Sequence, residues 1–327
     1  MKRREFIKLL GGTVAAWPLA ARAQQAGKVA RIGFLGATSP AGYGARVEGL
    51  RAGLRELGYI EGTNLVLEYR WAEGNYDRLP ALLAELIRSN VDIIVTHGGP
   101  AALAAKQATA SIPIVVGIIG DPVALGVVGS VARPGGNITG SSFFSPELDA
   151  KRVELLKEAM PQLTRVATLI NPDNPFHAGP QGHLPEQTAR SLDLHLQRFG
   201  VRATNELEGA FENMQRQGAQ AVSVVDDALL QENIAVIAAL ANKARLLSIG
   251  SKEFAQAGAV IGYGVDFVAA LRRAAVFVDK ILKGSKPADL PIEQASKFEF
   301  VVNLKSAKAL GLELPTSILL RADEVIE

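Results

Sequence analysis

The chain has 327 residues, with 35 Lys and Arg against 33 Asp and Glu, a formal net charge of +2 and no cysteine. Without cysteine neither a disulfide framework nor a thiolate metal site can form, and the length exceeds a usual single core, which points to two domains. Aromatics are few and the apolar content is mostly Ala, Val, Leu and Ile, as buried parallel strands covered by helices require.

The first element is a leader. Lys2, Arg3, Arg4 and Lys8 make a basic start, Leu9 to Ala20 an apolar stretch, and Ala21-Arg22-Ala23 a small-x-small cleavage site. This pattern predicts a twin-arginine export signal over 1–23, cleaved after Ala23, and a periplasmic location. About a dozen apolar residues fall short of the roughly 20 that span a bilayer, and no lipobox cysteine is available for a lipid anchor. Cleavage removes five basic and one acidic side chains from 35 and 33, leaving 30 against 32 and a net charge of about −2. The mature chain therefore has no electrostatic case for nucleic acid or an anionic membrane surface.

Val29 to Leu35 is a continuous apolar run of strand length. Val47, Leu50, Leu54 and Leu57 then recur at helical spacing, with Gly58 placed to end the helix. Asn64 to Tyr69 alternates as a strand, and Leu79, Leu82, Leu83, Leu86 and Ile87 mark a helix. Strands at Val91 to Thr96 and Ile112 to Ile119 flank an Ala-rich helix that starts near Pro100. Arg133-Pro134-Gly135-Gly136-Asn137 is a dense turn signal, and a domain boundary is expected between it and Ser142. The alternation restarts with a helix from about Pro146 to Met160, a strand Val166 to Ile170, a helix ending near Gly200 and a strand Ala221 to Val225. A helix from about Leu229 to Ala244 follows, then strands Leu246 to Ile249 and Val260 to Tyr263. Asp266 to Lys283 reads as a long helix crossing back to the first domain, and Phe298 to Asn303 as a late strand, with Asn303 capping a short helix through Leu310. The expected fold class is α/β: two doubly wound, Rossmann-like lobes, each on a parallel sheet.

In such sheets ligands bind beyond the carboxyl ends of the strands. Those loops hold Thr38, Ser39 and nearby Tyr43, then His97-Gly98, then Asp121 in the first half, with Gly117 in the strand before it. In the second half they hold Asn171, Asp226-Asp227, Gly250 with Glu253, and Tyr263. Hydroxyls and helix-start amides suit a carboxylate and Asp227 an ammonium, so this set is the candidate site for a small zwitterion. Asp121-Pro122 reads also as a helix cap, Asn171-Pro172 as a turn, and one of Asp226-Asp227 as a cap. His97, Tyr43 and Tyr263 read also as satisfied core residues. His177 and His183 are expected in an exposed loop.

Catalytic motifs are missing. The chain lacks G-x-S-x-G, G-x-x-x-x-G-K-[ST] and H-E-x-x-H, and Gly33-Phe34-Leu35-Gly36 is not a dinucleotide fingerprint. The four histidines show no metal-ligand spacing. No catalytic residue, metal or cofactor is expected.

Several segments carry a resemblance. They are Gly120-Asp121-Pro122-Val123 with Arg133 to Gly140, Leu54-Arg55-Glu56-Leu57-Gly58-Tyr59, Asn64 to Trp71 with Ala72-Glu73-Gly74, Lys297 to Asn303, and Ala307 to Gly311. From about Lys28 to Leu312 the chain resembles the substrate-binding proteins of ABC importers in the tryptophan/tyrosine-type periplasmic family. The resemblance implies a type I periplasmic-binding fold whose two lobes, joined by three crossovers, close on a small ligand. The lobes are expected over 28–140 plus about 266–290, and over 141–265 plus about 291–327. It also implies a monomeric receptor that passes an amino acid, or a small aromatic or branched acid, to a permease with its ATPase. Where the tryptophan binders read Pro-Thr-Asp-Asn, this chain has Val225-Asp226-Asp227-Ala228, so only Asp227 matches. A sensing module for a signalling receptor and an exported nucleotide-cofactor oxidoreductase are the alternatives.

Overall fold

The computed structural model describes residues 29–143, 145–178 and 184–327, so the leader and His183 lie outside the described residues. The first lobe is built from β1 (Ala30–Gly36), α1 (Pro40–Glu56), β2 (Leu65–Trp71), α2 (Leu79–Arg88), β3 (Ile93–Thr96), α3 (Gly99–Ala108), β4 (Ile114–Ile119) and β5 (Ile138–Ser142). The second holds α4 (Ser145–Ala159), β6 (Arg165–Ile170), α5 (Pro175–Ala178), α6 (Leu184–Ser191), β7 (His195–Gly200), α7 (Leu207–Arg216), β8 (Ala221–Val224), α8 (Ala228–Glu232) and α9 (Ile234–Lys243). It continues with β9 (Leu247–Gly250), α10 (Lys252–Gln256) and β10 (Ile261–Gly264). The chain then runs back through α11 (Phe267–Leu282) and β11 (Glu293–Gln294) before β12 (Glu299–Asn303), α12 (Leu304–Ala309), α13 (Thr316–Leu319) and β13 (Glu324–Ile326).

The sheets share one winding. The first is ordered β11-β5-β4-β3-β1-β2 and the second β13-β12-β10-β9-β8-β6-β7, so 2-1-3-4-5 in one lobe repeats as 7-6-8-9-10 in the other. Apolar cores cover both faces of each sheet. In each lobe the order reverses between the first and third strands, which opens a crevice at their carboxyl ends. Among the described residues every strand pairing is parallel but one, since β12 runs antiparallel to β10.

Local chemistry explains most boundaries. Ser39 accepts from the Gly42 amide to start α1 behind Pro40, and Gly58, at φ +89°, lies just beyond its end. Asp266 accepts from the Ala269 amide to start α11, whose Leu271, Ala274 and Val278 join Ile32, Phe34 and Leu50 in the first-lobe core. Asn303 caps α12 as expected, accepting from the Ser306 amide. The α11 backbone lies so close to α1 that a Cβ on Gly49 would stand 2.7 Å from the Val268 carbonyl, and Gly53 faces the Arg272 carbonyl in the same way.

The structure corrects four expectations. The helix expected to end near Gly200 ends at Ser191; His195–Gly200 is an edge strand paired with β6 alone, and its half-exposed, polar character hid it. The helix expected over Leu229 to Ala244 breaks at Asn233, whose side-chain amide turns back to the Leu229 carbonyl at 2.8 Å. Short helices α7 and α10 have no counterpart in the expected pattern. The boundaries expected at 140 and about 290 also shift. β5 continues through Ser142 in the first sheet, where Glu293 and Gln294 pair with Ser141 and Ser142, and Ile292 is inserted in the first-lobe core.

Candidate functional site

The crevices of the two sheets face each other across one shared cavity. Ala37, His97 and Gly120, just past β1, β3 and β4, line it from the first lobe, and Asn174 and Asp226, past β6 and β8, from the second. Phe143 and Phe267, at two of the crossings, and Phe176 supply aromatic walls. Residues of both lobes therefore touch the same space.

Asp227 sits at the centre of the second-lobe wall, buried and fully coordinated. One carboxylate oxygen accepts from Asn171 Nδ2 at 3.2 Å and the Leu229 amide at 2.9 Å; the other accepts from Asn174 Nδ2 and from the Tyr76 hydroxyl, both at 2.9 Å. Burial and the Asp227 charge push the Tyr76 hydroxyl well above its ordinary range, so it remains a donor. Asp226 pairs with Arg152 at 2.9 Å and accepts from Gln231 Nε2 at 3.0 Å. Arg152 is 0 % exposed and also donates to Asp149 and to the carbonyls of Tyr263 and Val224. Burial, reinforced by the Asp226 charge and opposed by Arg152, raises the Asp149 carboxyl to about 7. One buried guanidinium thus holds two acids and two strand ends.

The first-lobe wall is uncharged. Tyr43, fully buried, bonds through its hydroxyl to Nδ1 of His97 at 3.0 Å. Burial first, and the neighbouring Arg46 guanidinium second, hold the imidazole pKa well below its usual value, so the ring is neutral. Burial raises the Tyr43 hydroxyl to about 12. Arg46 packs over the Tyr43 and Phe267 rings, 5.3 and 4.9 Å from their centroids, and reaches Gln231 of the other lobe at 3.5 Å. Ser39 donates to Glu232 and Tyr76 to Asp227, and with Arg46 at Gln231 these side-chain contacts join the lobes and close the cleft.

Of the residues expected at the site, His97, Gly98, Asp226 and Asp227 line the cavity. Ser39, Tyr43 and Asn171 stand directly behind it, bonded to Glu232, His97 and Asp227, and Thr38 is buried with its carbonyl accepting from the Glu73 amide. The other five are not brought to the cavity. A Cβ on Gly117 would lie 2.6 Å from Leu271 and one on Gly250 2.7 Å from Phe254, so both glycines serve helix-on-sheet packing. Asp121 caps its own turn by accepting from the Val123 and Ala124 amides. Glu253 lies in the first turn of α10, its carboxyl raised by burial. Tyr263 stacks on Phe298 and contributes its carbonyl to Arg152. His177, expected in an exposed loop, is 3 % exposed on α5 and lines the cavity, Nδ1 facing the Asn171 carbonyl at 3.3 Å.

Sequence reasoning missed Tyr76, Phe176, Phe267 and Arg152. Tyr76 lies in a 3-10 turn five residues past the end of β2, and Arg152 in mid-helix, where only Asp149 three residues earlier signalled it. Among the described residues no three His, Cys, Asp or Glu side chains are grouped to hold a metal ion, and no helix is long and apolar enough to cross a membrane.

Two α/β lobes closed over a shared cavity define a binding protein of the type I periplasmic class. The profile of the family described as ABC transporter substrate binding protein matches residues 32–326, and the chain belongs to that family. A tyrosine-binding protein of Clostridioides difficile (strain R20291) is 24% identical over 267 residues, 81% of this chain and 76% of its own length. A conserved domain protein of Vibrio cholerae superposes with a TM-score of 0.84 at 28% identity, covering 91% of this chain and 100% of that one. An ABC domain from Streptococcus pneumoniae, solved in complex with L-Trp, superposes with a TM-score of 0.81 at 25% identity, covering 90% and 100%.

Proposed function

We propose that this chain is the periplasmic solute receptor of an ABC importer, which binds an amino acid or a small aromatic or branched acid between its lobes and delivers it to a membrane permease. The observation that carries this reading is the cavity itself, walled by aromatic rings and polar groups from both lobes and by no catalytic constellation among the described residues. A ligand that touches both walls stabilises the closed state only by its differential affinity for that state. Phe143, Phe176 and Phe267 suit an apolar or aromatic body, and the polar groups around it suit a charged head. The receptor acts as a monomer without turning its ligand over, and the twin-arginine leader takes it to the periplasm before cleavage after Ala23.

A thermal-shift screen of amino acids and aromatic acids tests the reading, because a ligand of the native state alone raises the melting point in proportion to ln(1 + [L]/Kd). We expect at least one aromatic or branched member to shift it in a saturable way. A flat response across the panel sinks the ligand class. Mass spectrometry of the periplasmic fraction should find Gln24 at the amino terminus.

A further inference from the structure

His97 is 8 % exposed, yet Nδ1, at the Tyr43 hydroxyl, is its one ring nitrogen with a partner among the described residues. Nε2 is buried and has no hydrogen-bond partner there, the ring packs edge-on against Phe267, and the residue borders the cavity. The two neutral tautomers are not equivalent in this setting. With the proton on Nδ1, the ring would donate to the Tyr43 oxygen, leaving the buried Tyr43 O–H without an acceptor and Nε2 as a bare lone pair. With the proton on Nε2, Tyr43 donates to Nδ1, and a single N–H is left over. Hydrogen-bond counting therefore assigns the Nε2–H tautomer. A charged ring is disfavoured by burial and by Arg46.

Immediately beyond His97 the helix Gly99–Ala108 begins. Its N-cap Gly98 adopts φ +81° and offers no side-chain cap, and a Cβ there would meet nothing within 4 Å. First-turn amides have no intrahelical acceptor and sit at the positive end of the helix dipole. Gly98, Gly99 and Pro100 all line the cavity; Gly98 gives its N–H to the Ile118 carbonyl at 2.9 Å and Pro100 has none, so the first-turn amide left to the cavity is that of Gly99. The imidazole N–H and the helix start are independent donors that want the same partner, an acceptor bearing negative charge. The acids Asp226 and Asp227 lie on the other lobe's wall, so such a group is directed to the first lobe.

We infer that the cavity holds its ligand's carboxylate between the Nε2–H of His97 and the first turn of Gly99–Ala108, and that Tyr43 is the positioning residue that keeps the imidazole proton on the cavity side. The inference rests on the solute-receptor reading and deepens it by assigning the ligand's carboxylate to the first-lobe side. An amide of the same body loses the charge that both donors need.

Calorimetry with L-tryptophan, L-tyrosine and L-leucine, each beside its primary amide, tests the carboxylate. The acids should bind about ten- to a hundredfold more tightly than the amides. His97→Leu should weaken acid binding by a similar factor. His97→Gln, which restores an N–H donor, should recover most of it, and Tyr43→Phe should weaken acid binding several-fold. Nitrogen-15 NMR of the imidazoles in the unliganded protein, with His97→Gln identifying the signal, should show the proton on Nε2, and Tyr43→Phe should shift that balance. If His97→Leu does not fold, His97→Gln against Tyr43→Phe decides. Equal affinity for acid and amide, or unchanged affinity in His97→Leu, overturns the carboxylate site while leaving the receptor reading intact. An Nδ1–H tautomer or an imidazolium at neutral pH overturns the role of Tyr43. Binding of no acid in the set defeats the receptor reading for these ligands and this inference with it.

Discussion

The two walls of the cavity are built from the same topology and opposite chemistry. On the first lobe the strand ends present Ala37, a neutral His97, Gly98 and Gly120, and rigidity comes from packing: Gly49 and Gly53 let α11 lie directly on α1. On the second lobe the equivalent strand ends present Asp226 and Asp227, and rigidity comes from a buried charge network centred on Arg152. One wall offers donors left over from its own hydrogen bonding, and the other offers acceptors already coordinated. The two meet where Tyr76 reaches Asp227 and Ser39 reaches Glu232. A duplicated α/β architecture can thus assign opposite electrostatic duties to its halves, because the loops past the strands carry the chemistry while the sheets carry the fold.

The contrast can be broken most severely at Arg152. Arg152→Met strands Asp226 and Asp149 in a dry interior, and denaturant unfolding should show a loss of about 3–5 kcal/mol. A loss below about 1 kcal/mol would mean that charge does not hold the second wall.

A pH series sharpens the same point. Asp149 has its folded pKa raised to about 7 from an ordinary 3.8. Below about 4 it is protonated folded and unfolded alike; from about 4 to 7 the unfolded chain releases the proton while the native state keeps it. The stability it contributes is therefore present at low pH and lost as pH rises through about 7. Asp149→Asn should remove that slope, on the order of 1 kcal/mol per pH unit between 4 and 7. Unfolding curves of both proteins at several pH values check this, and parallel dependences would refute it.

The first wall should respond instead to volume. Gly53→Ala drives a Cβ into the Arg272 carbonyl and should cost about 1–3 kcal/mol with no change of pH dependence. Equal stability to wild type would show that α11 can move aside. The seam carries the smallest effect. Tyr76→Phe removes one donor from Asp227 and should cost about 1 kcal/mol of closed-state preference, seen as an increased radius of gyration in solution scattering of the unliganded protein. An unchanged scattering curve would indicate that other contacts hold the lobes together.

Much of the architecture is readable along the chain because its signals are local. Apolar runs such as Ile112 to Ile119 mark buried strands, and Asp266 and Asn303 announce the helices that they cap. The strand-end loops also locate the site region, since His97, Gly98, Asp226 and Asp227 all stand within three residues past the end of a strand. Polar β7 escapes such a reading because an edge strand need not be apolar, and β5 falls where a domain boundary was expected because its serines hide a pairing with Glu293 and Gln294, about 150 residues away.

By itself, then, the chain determined the alternation of strands and helices, most of the caps, and the loops where a ligand would be met, all of which depend on residues within a few positions of one another. Only the tertiary structure decided that Arg152 pairs with Asp226, that Tyr76 closes on Asp227, and that Gly117 and Gly250 serve packing while His177 faces the cavity. Each of those partnerships joins segments set together by sheet order, helix packing and closure of the lobes, and no local spacing encodes which buried polar group will find which partner.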